Sequence, residues 1–489
     1  MRIGEPQVAM SDEICVLVLG DVGRSPRMQY HALSLANMSE GTRVTLVGYE
    51  GENCFSSVRE HPRVRTQLFK PFAARLPRKL FLLLAPIKVA IQLLQLLWIL
   101  LVCIPRPAVL LLQNPPSIPT LMVAWLVGKL RGSRVAIDWH NLGYTVLGTG
   151  PLGHDHWLVK VALAYERAFA VADAHFCVTV AMRGFLDTWG VTATTLYDKP
   201  PAFFRRTTDA ERHELCARLA AELEPAAARL GIDTGGGRTL FTEPGIAGSA
   251  PTLRADRPAL VVSSTSWTED EDFGMLLAAI EKLDAASAAA AGAAAGAAAL
   301  PKLLFVVTGK GPQKAMYEAR MRQMDLRRAH VCTMWLEPGD YPLLLGTADL
   351  GVCLHTSTSG LDLPMKVLDF FGAGLPVCAV GFSCLDELVQ HGKNGMVFQD
   401  SAQLAEQMQE LLGGFPHNCA ALHKLRDGVA NFERWVENWD RCAKPHFERL
   451  LDEGYRSRLN AVTVALCAVL AVAFELVARA LTRFVENRA

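Results

Sequence analysis

The segment HTSTSGLDLPMKVLDFFGAGLPVCAV (His355–Val380) follows an apolar run, Ala348–Leu354, that is interrupted by Asp349. It continues as a Ser/Thr/Gly loop, takes up helical spacing of apolar residues from Leu363, and turns at Gly374-Leu375-Pro376 into a second apolar run. Strand, loop, helix and strand in that order form the unit of a doubly wound parallel sheet, whose ligands bind at the carboxyl ends of the strands. Asp362 stands in the loop, with Lys366 and Asp369 four and seven residues on. With helix from Leu363, all three project near one face at its N-terminal end. Free N–H groups and a partial positive charge there suit a diphosphate, and the carboxylates suit sugar or ribose hydroxyls. Any one of these residues alone reads as part of a capped helix with a surface ion pair; together, on a hydroxyl-rich strand end, they read as a site.

The alternation extends upstream. Ala259–Ser263 and Leu303–Val307 are strands, followed by Ser264-Thr265-Ser266 and by Thr308-Gly309-Lys310-Gly311-Pro312, and Trp335-Leu336 follows another strand. This half is placed at 258–415. Within it, Ala285–Ala299 is almost pure alanine and is read as a low-complexity loop insertion. Residues 201–257, polar and rich in Ala and Gly, read as a linker with one helix near Ala210–Leu223. After 415, Phe432, Trp435, Val436 and Trp439 form an apolar stripe on a helix within 416–455.

The first half, 1–200, opens with Ile14–Leu19, the turn Gly20-Asp21-Val22-Gly23 and helical spacing over Met28–Ala36, the start of a second Rossmann-like unit. The glycines of the turn let a ligand approach the backbone, and Arg24 and Arg27 add positive charge. A plain strand-to-helix turn with solvated arginines fits the same residues. Val44–Val47, Val109–Leu112, Arg134–Asp138 and Ala174–Thr179 are further strands, and Gln113–Pro116 and Trp139–Asn141 are polar loops at two of their ends. Asp138 and His140 alternate in extended chain and so share a face.

At 489 residues two or three domains are expected. Lys plus Arg equals Asp plus Glu, 49 each, so net charge points to no partner, and no nucleic acid is expected. The distribution is informative: His61–Ile137 contains no Asp or Glu and eleven Lys or Arg, which suits a surface facing anionic head groups or phosphates. The twelve cysteines are scattered without CxxC or His/Cys clusters, as in a chain facing the cytosol, and no metal site is indicated. Leu80–Ile104 is highly apolar, but Lys88, Gln92 and Gln95 at i, i+4 and i+7 make a polar stripe. That stripe suits a helix lying in a membrane interface, with a buried core helix as the alternative. Ala461–Phe474 carries no charge and is read with its flanks as a membrane anchor within 456–489. The N-terminal MRIGEPQVAMSDE lacks a basic n-region and an apolar core, so no signal peptide is expected.

SGLDLPMKVLDFFGAGLPVCAV (359–380) resembles the signature of the β-1,4-mannosyltransferase family that adds the first mannose to chitobiosyl-diphospho-dolichol. GDVGRSPRMQYHALSLA (20–36), LLQNPPSIPT (111–120), IDWHNLGY (137–144), SSTSWTEDEDF (263–273) and TGKGP (308–312) resemble it in the same order. Many relatives carry an N-terminal membrane span, from which this chain departs. The resemblance implies an α/β chain of GT-B architecture: two Rossmann-like domains facing a cleft, a helix crossing back to the first, and the C-terminal membrane-anchor helix. It implies GDP-mannose as donor, dolichol-diphosphate chitobiose as acceptor, and the membrane and other glycosyltransferases of the pathway as partners. It places the chain on the cytosolic face of the endoplasmic reticulum, with no cofactor and no bound metal.

The implied donor residues are Ser264, Thr265, Lys310, Trp335, Asp362, Lys366 and Asp369, with Gly23, Arg24 and Arg27 lining the substrate side of the first domain. Wider retaining families carry Arg and Lys in the loop where this chain has Glu269–Asp272, so phosphate charge falls to Lys310, Lys366 and the helix N-terminus. Those families also carry two glutamates eight positions apart, against Asp362 and Asp369, seven apart, with Asp369 the better match for the ribose. Trp335 is a platform for guanine or a core residue. Inversion to a β-mannoside needs a base on the acceptor side: His140 is favoured, with Asp21 or Asp138 as orienter or replacement. A lipid-linked GT-B transferase using another nucleotide sugar, or a non-catalytic scaffold, are the alternatives.

Overall fold

The computed structural model describes residues 12–71, 81–150, 152–245, 249–268, 271–291, 300–357 and 359–453. The chain forms two compact units, Met1–Tyr197 with Val436–Ala489, and Asp198–Trp435.

The first unit holds a parallel sheet of seven strands: β1 (Glu13–Asp21), β2 (Arg43–Tyr49), β3 (Val64–Phe69), β4 (Val109–Asn114), β5 (Arg134–Trp139), β6 (Ala174–Cys177) and β7 (Thr194–Thr195), in the order β3-β2-β1-β4-β5-β6-β7. β1 and β4 are buried along most of their length because helices cover both faces, which is why they read as unbroken apolar runs. β3 is an edge strand whose exposed residues, Arg65, Thr66 and Leu68, leave no apolar run to recognise. The order reverses between β1 and β4, so this switch point lies beside the end of β1 and next to the ends of β4 and β5. The helices Trp435–Cys442 and Lys444–Asp452 close the unit, and Trp439, Phe447 and Phe176 stack in its core.

The second unit repeats the plan with β10 (Ala259–Ser264), β11 (Leu303–Thr308), β12 (Ala329–Met334), β13 (Leu350–Cys353), β14 (Val377–Val380) and β15 (Gly395–Phe398), in the order β12-β11-β10-β13-β14-β15. Its switch point lies between β10 and β13. Asp349, which breaks the apolar run before β13, is buried and bound by Arg257 at 2.8 and 3.0 Å and by Arg426 at 2.7 Å. It is a structural anchor.

Three sequence expectations are corrected. Residues 201–257 are part of the second unit and not a linker. The helices Asp209–Arg218 and Ala220–Leu230 bury Leu215, Leu223, Ala226 and Leu230 against the sheet, and the short pair β8 (Thr242–Glu243) and β9 (Thr252–Leu253) follows. The first part of the Ala-rich run continues the helix Phe273–Ala291, as alanine's helix propensity favours; the rest, 292–299, lies outside the described residues. The helix Phe81–Trp98, continued by a π-helical turn Ile99–Cys103, does not turn its whole polar stripe to the outside. Lys88 is exposed, but Gln92 donates to the Tyr49 hydroxyl at 2.7 Å and Gln95 Oε1 is buried. The anchor expected at 456–489 lies outside the described residues.

Candidate functional site

In the second unit three strand ends converge. The loop after β10, Thr265-Ser266-Trp267, packs against the loop after β11. Trp267, at φ 52°, buries its ring and donates from Nε1 to the Gly309 carbonyl at 3.2 Å. Gly309 has φ 126°, and a Cβ there would lie 1.8 Å from the Thr265 carbonyl oxygen, so only glycine lets the loops approach this closely.

Glu271 binds these loops together. It is 2% exposed, accepts hydrogen bonds from the Thr265 hydroxyl and, at 2.7 Å, from the Ser266 N–H, and forms an ion pair with Lys366. Its backbone bridges to His355 at the end of β13, whose Nδ1 lies 4.0 Å from its carboxylate. Lys366 therefore stands over the β10 end with its ammonium 3.5 Å from the Ser266 hydroxyl.

A second cluster sits alongside. The Tyr341 hydroxyl lies 3.0 Å from the Ser264 hydroxyl and 3.4 Å from Asp369 Oδ2, and the Thr308 hydroxyl is 3.2 Å from Ser264. Burial pushes the Asp369 carboxyl up to about 7, and raises the Tyr341 hydroxyl as well. Nearby in sequence, Lys310 Nζ sits 3.4 Å from the centre of the Trp335 ring. Trp335 is 59% exposed, which excludes its core-packing alternative.

Asp362 does not share the helix face with Lys366 and Asp369. Leu363 precedes Pro364, a position disfavoured for helix, so the helix begins at Met365 with Pro364 as its cap. Asp362 stays in the loop, where the Ser357 and Ser359 hydroxyls donate to its Oδ1.

In the first unit the site centres on Asp138 at the end of β5, which has no exposed surface. Arg27 holds it with two bonds, Nε to Oδ2 at 2.7 Å and Nη2 to Oδ1 at 2.9 Å. His31 Nε2 lies 3.1 Å and His140 Nε2 2.9 Å from Oδ2. Burial alone would raise this carboxyl, but Arg27, His140 and His31 outweigh it and hold it well below the usual carboxylate range. Burial lowers His31, and the Trp439 indole N–H donates to its Nδ1 at 3.0 Å, which leaves the His31 proton on Nε2, aimed at Asp138. His140 alone of this group is partly open to solvent, with its side chain 21% exposed.

The expected roles of the first turn change accordingly. Arg27 does not present its charge to a ligand; it points inward to neutralise Asp138. Asp21 caps its own turn, accepting from the Gly23 N–H at 3.0 Å and the Glu52 N–H at 3.0 Å, so it does not orient His140. Arg24 is exposed and pairs with Asp21 and Glu52, and a Cβ on Gly23 would meet the Glu52 carbonyl at 2.2 Å. The sequence reading missed Glu166, which is buried and accepts from Asn114 Nδ2 at 2.7 Å, Ser117 Oγ at 2.9 Å and the Gly143 N–H at 2.9 Å. It ties the loop after β4 to the loop after β5, the two strand-end loops beside Asp138 and His140. Tyr341 and His31 were missed as well, and only Glu271, inside a run of acids beside hydroxyls, left a signal in its own neighbourhood.

Comparison with known proteins follows the same lines. Residues 259–413 match the family model described as glycosyl transferases group 1. An Arabidopsis thaliana protein named UDP-glycosyltransferase TURAN is 45% identical over 458 residues, 90% of this chain and 98% of its own length. The Homo sapiens chitobiosyldiphosphodolichol beta-mannosyltransferase is 45% identical over 438 residues, covering 88% and 92% of the two chains. Among solved structures, Anabaena HepE in complex with UDP-glucose superposes with a TM-score of 0.56 at 14% identity, over 90% of this chain and 99% of that one. At that identity the likeness speaks for the GT-B fold alone.

Proposed function

The chain belongs to the chitobiosyldiphosphodolichol beta-mannosyltransferase family of glycosyltransferases, and from that premise we propose that it transfers mannose from GDP-mannose to a chitobiosyl-diphospho-lipid with inversion, forming a β-1,4 linkage. The observation that carries the assignment of roles is the division of chemistry between the two units: an imidazole held by a buried anion in the first, and, in the second, hydroxyls at strand ends beside the lysine and acid of the Met365–Gly372 helix.

On this reading the acceptor hydroxyl gives its proton to His140. Asp138 orients the ring and stabilises the imidazolium that forms, as a buried carboxylate can while Arg27 keeps it ionised. Charge that develops on the departing diphosphate is met by Lys366 and Lys310 and by the N–H groups at the start of the Met365–Gly372 helix, without a metal ion. Glu271 keeps Lys366 in place over Ser266. Asp369 takes the ribose hydroxyls, and the exposed Trp335 offers the ring on which guanine packs. The enzyme works at the endoplasmic reticulum membrane with both units on the cytosolic side, where GDP-mannose is available.

The test is radiolabelled GDP-mannose with a phytanyl-linked chitobiose diphosphate, followed by linkage analysis of the product. A single β-linked mannose is expected. Equal or better transfer from a UDP-sugar, the donor class that the Arabidopsis relative's name raises, would overturn the donor assignment.

A further inference from the structure

The helix that carries Lys366 and Asp369, Met365–Gly372, is only eight residues long, and a helix of that length is marginal on its own. Its place in the second unit depends on what holds its ends. Near the start, Glu271 holds Lys366. At the other end a glycine turn satisfies two carbonyls: the Gly374 N–H donates to Phe371 at 3.0 Å and the Leu375 N–H to Phe370 at 2.8 Å, with Gly374 at φ 68°. The Gly372 carbonyl is taken by a side chain from far along the chain. Arg434 donates to it from Nη2 at 2.9 Å. From Nη1 the same guanidinium donates to the Phe204 carbonyl at 2.9 Å and the Pro201 carbonyl at 3.3 Å. A cation is favoured at a helix C-terminus, but the planar fork adds something a cap does not need, a tie to the segment 201–204.

That tie is reinforced on both sides. Phe432, two residues before Arg434, sets its ring edge-on to Phe371 at 5.0 Å. Lys199 lies over the Phe432 ring at 4.6 Å and pairs with Glu433 at 3.3 Å. The segment 200–204, so fastened, bears on Asp369 by two routes. Gly372 stands one turn after Asp369, and a Cβ on it would lie 2.6 Å from Pro200 Cβ and 2.8 Å from Phe204 Cβ, so glycine lets the segment abut the helix. The buried Phe204 ring meets the Tyr341 ring edge-on at 6.0 Å, and the Tyr341 hydroxyl is the group 3.4 Å from Asp369 Oδ2. The backbone of the acid and its hydroxyl partner therefore rest on one segment, whose carbonyls Arg434 holds.

We propose that Arg434 is a positioning residue for the donor site: by holding 201–204 against Gly372 and, through Phe204, against Tyr341, it sets where Asp369 stands for the nucleotide. The inference deepens the proposed function and rests on its reading of Asp369 as the acid that takes the ribose. Arg434 acts through Asp369 and not on the nucleotide itself.

The test reads variants in two backgrounds by calorimetric titration of the full chain with GDP. Arg434→Met should weaken GDP binding about fivefold or more in the wild-type background, and less than about twofold in Asp369→Asn, where the group it positions is already lost. Phe204→Leu removes the ring that faces Tyr341 and leaves the backbone carbonyls that Arg434 binds. It should show the same pattern, and it decides the question if Arg434→Met does not fold. In turnover, KM for the donor should rise while kcat and KM for the acceptor stay within about twofold.

Wild-type affinity in the folded variants, or an equal loss in the two backgrounds, would overturn the proposal. So would a fall in kcat with a rise in both KM values together, the mark of a general loss of structure. A wild-type chain that binds UDP and not GDP would instead overturn the donor assignment. The same variants titrated with UDP would then judge Arg434, since both nucleotides carry the ribose.

Discussion

Replacing Arg27 by Met keeps most of the side-chain volume and removes the positive charge that faces Asp138. Both side chains are buried, and two charge-assisted hydrogen bonds join them. Removing one partner of a buried pair costs about 3–5 kcal/mol, chiefly because the remaining charge stays desolvated. Asp138 keeps His31 and His140, so the lower end, about 3 kcal/mol, is expected. That is a large share of the roughly 5–15 kcal/mol that holds a domain folded. The pH dependence should weaken too. In the wild type the Asp138 carboxyl lies below its unfolded value, so its contribution is present above about pH 4 and is lost only as pH falls through the depressed folded value. In Arg27→Met the largest of the lowering causes is gone, the folded value moves up towards the unfolded one, and the stability gained above about pH 4 shrinks. Urea denaturation of the two proteins between pH 4 and 8 measures both effects. A loss below about 1 kcal/mol with an unaltered pH profile would refute the reasoning, and would mean that Asp138 does not depend on Arg27 for its charge.

His140→Ala should lower kcat strongly while leaving GDP binding unchanged in calorimetry; if Asp138→Asn abolishes turnover and His140→Ala does not, the two roles are reversed. Lys366→Ala removes a charged hydrogen bond worth roughly 1.5–3 kcal/mol, hence about tenfold to a hundredfold or more in kcat/KM for the donor, and Glu271→Gln should raise KM for the donor more than it lowers kcat; wild-type kinetics in folded variants would remove this site from consideration. Asp369, pushed up to about 7, binds its proton more tightly folded than unfolded, so its contribution to stability falls as pH rises from about 4 through 7. Asp369→Asn should flatten that slope and the rise of donor affinity across neutral pH, and an unchanged donor-affinity profile would show that its ionisation plays no part in binding.

The buried strands were legible because parallel strands covered on both faces must be apolar throughout: β10, β11 and β14 stand where their runs do. β3 was not, because an edge strand with exposed Arg65 and Thr66 carries no such run. One helix near Ala210–Leu223 was legible, but its break into Asp209–Arg218 and Ala220–Leu230 and their packing on the sheet were not. The alanines and the glycines downstream read as linker, while the few apolar residues that pack, Leu215, Leu223 and Leu230, are diluted among Ala, Glu and Arg. Local motifs found His140 with Asp138 and found the Lys366 helix, since each lies at a strand end that the alternation marks. They could not show that Arg27, 111 residues away, points at Asp138, or that Glu166 reaches back 49 residues to Ser117. Those pairs are fixed by strand order, and strand order is decided by the whole sheet rather than by any segment.

The first unit is discontinuous: it runs to Tyr197 and resumes at Val436, with all of the second unit in between. Trp439, which fixes the proton on His31, therefore leaves the ribosome long after the strand that carries Asp138. At about 5–20 residues per second the delay is roughly fifteen seconds to a minute. During that interval His31 lacks the partner that sets its tautomer, and Phe176 lacks the cover of Phe447. A nascent chain in this state lacks the last contacts of the network that joins His31, Asp138 and His140. Completion of that network then waits for the last helices of the unit, so a ribosome that stalls within the second unit leaves the first unit unfinished as well.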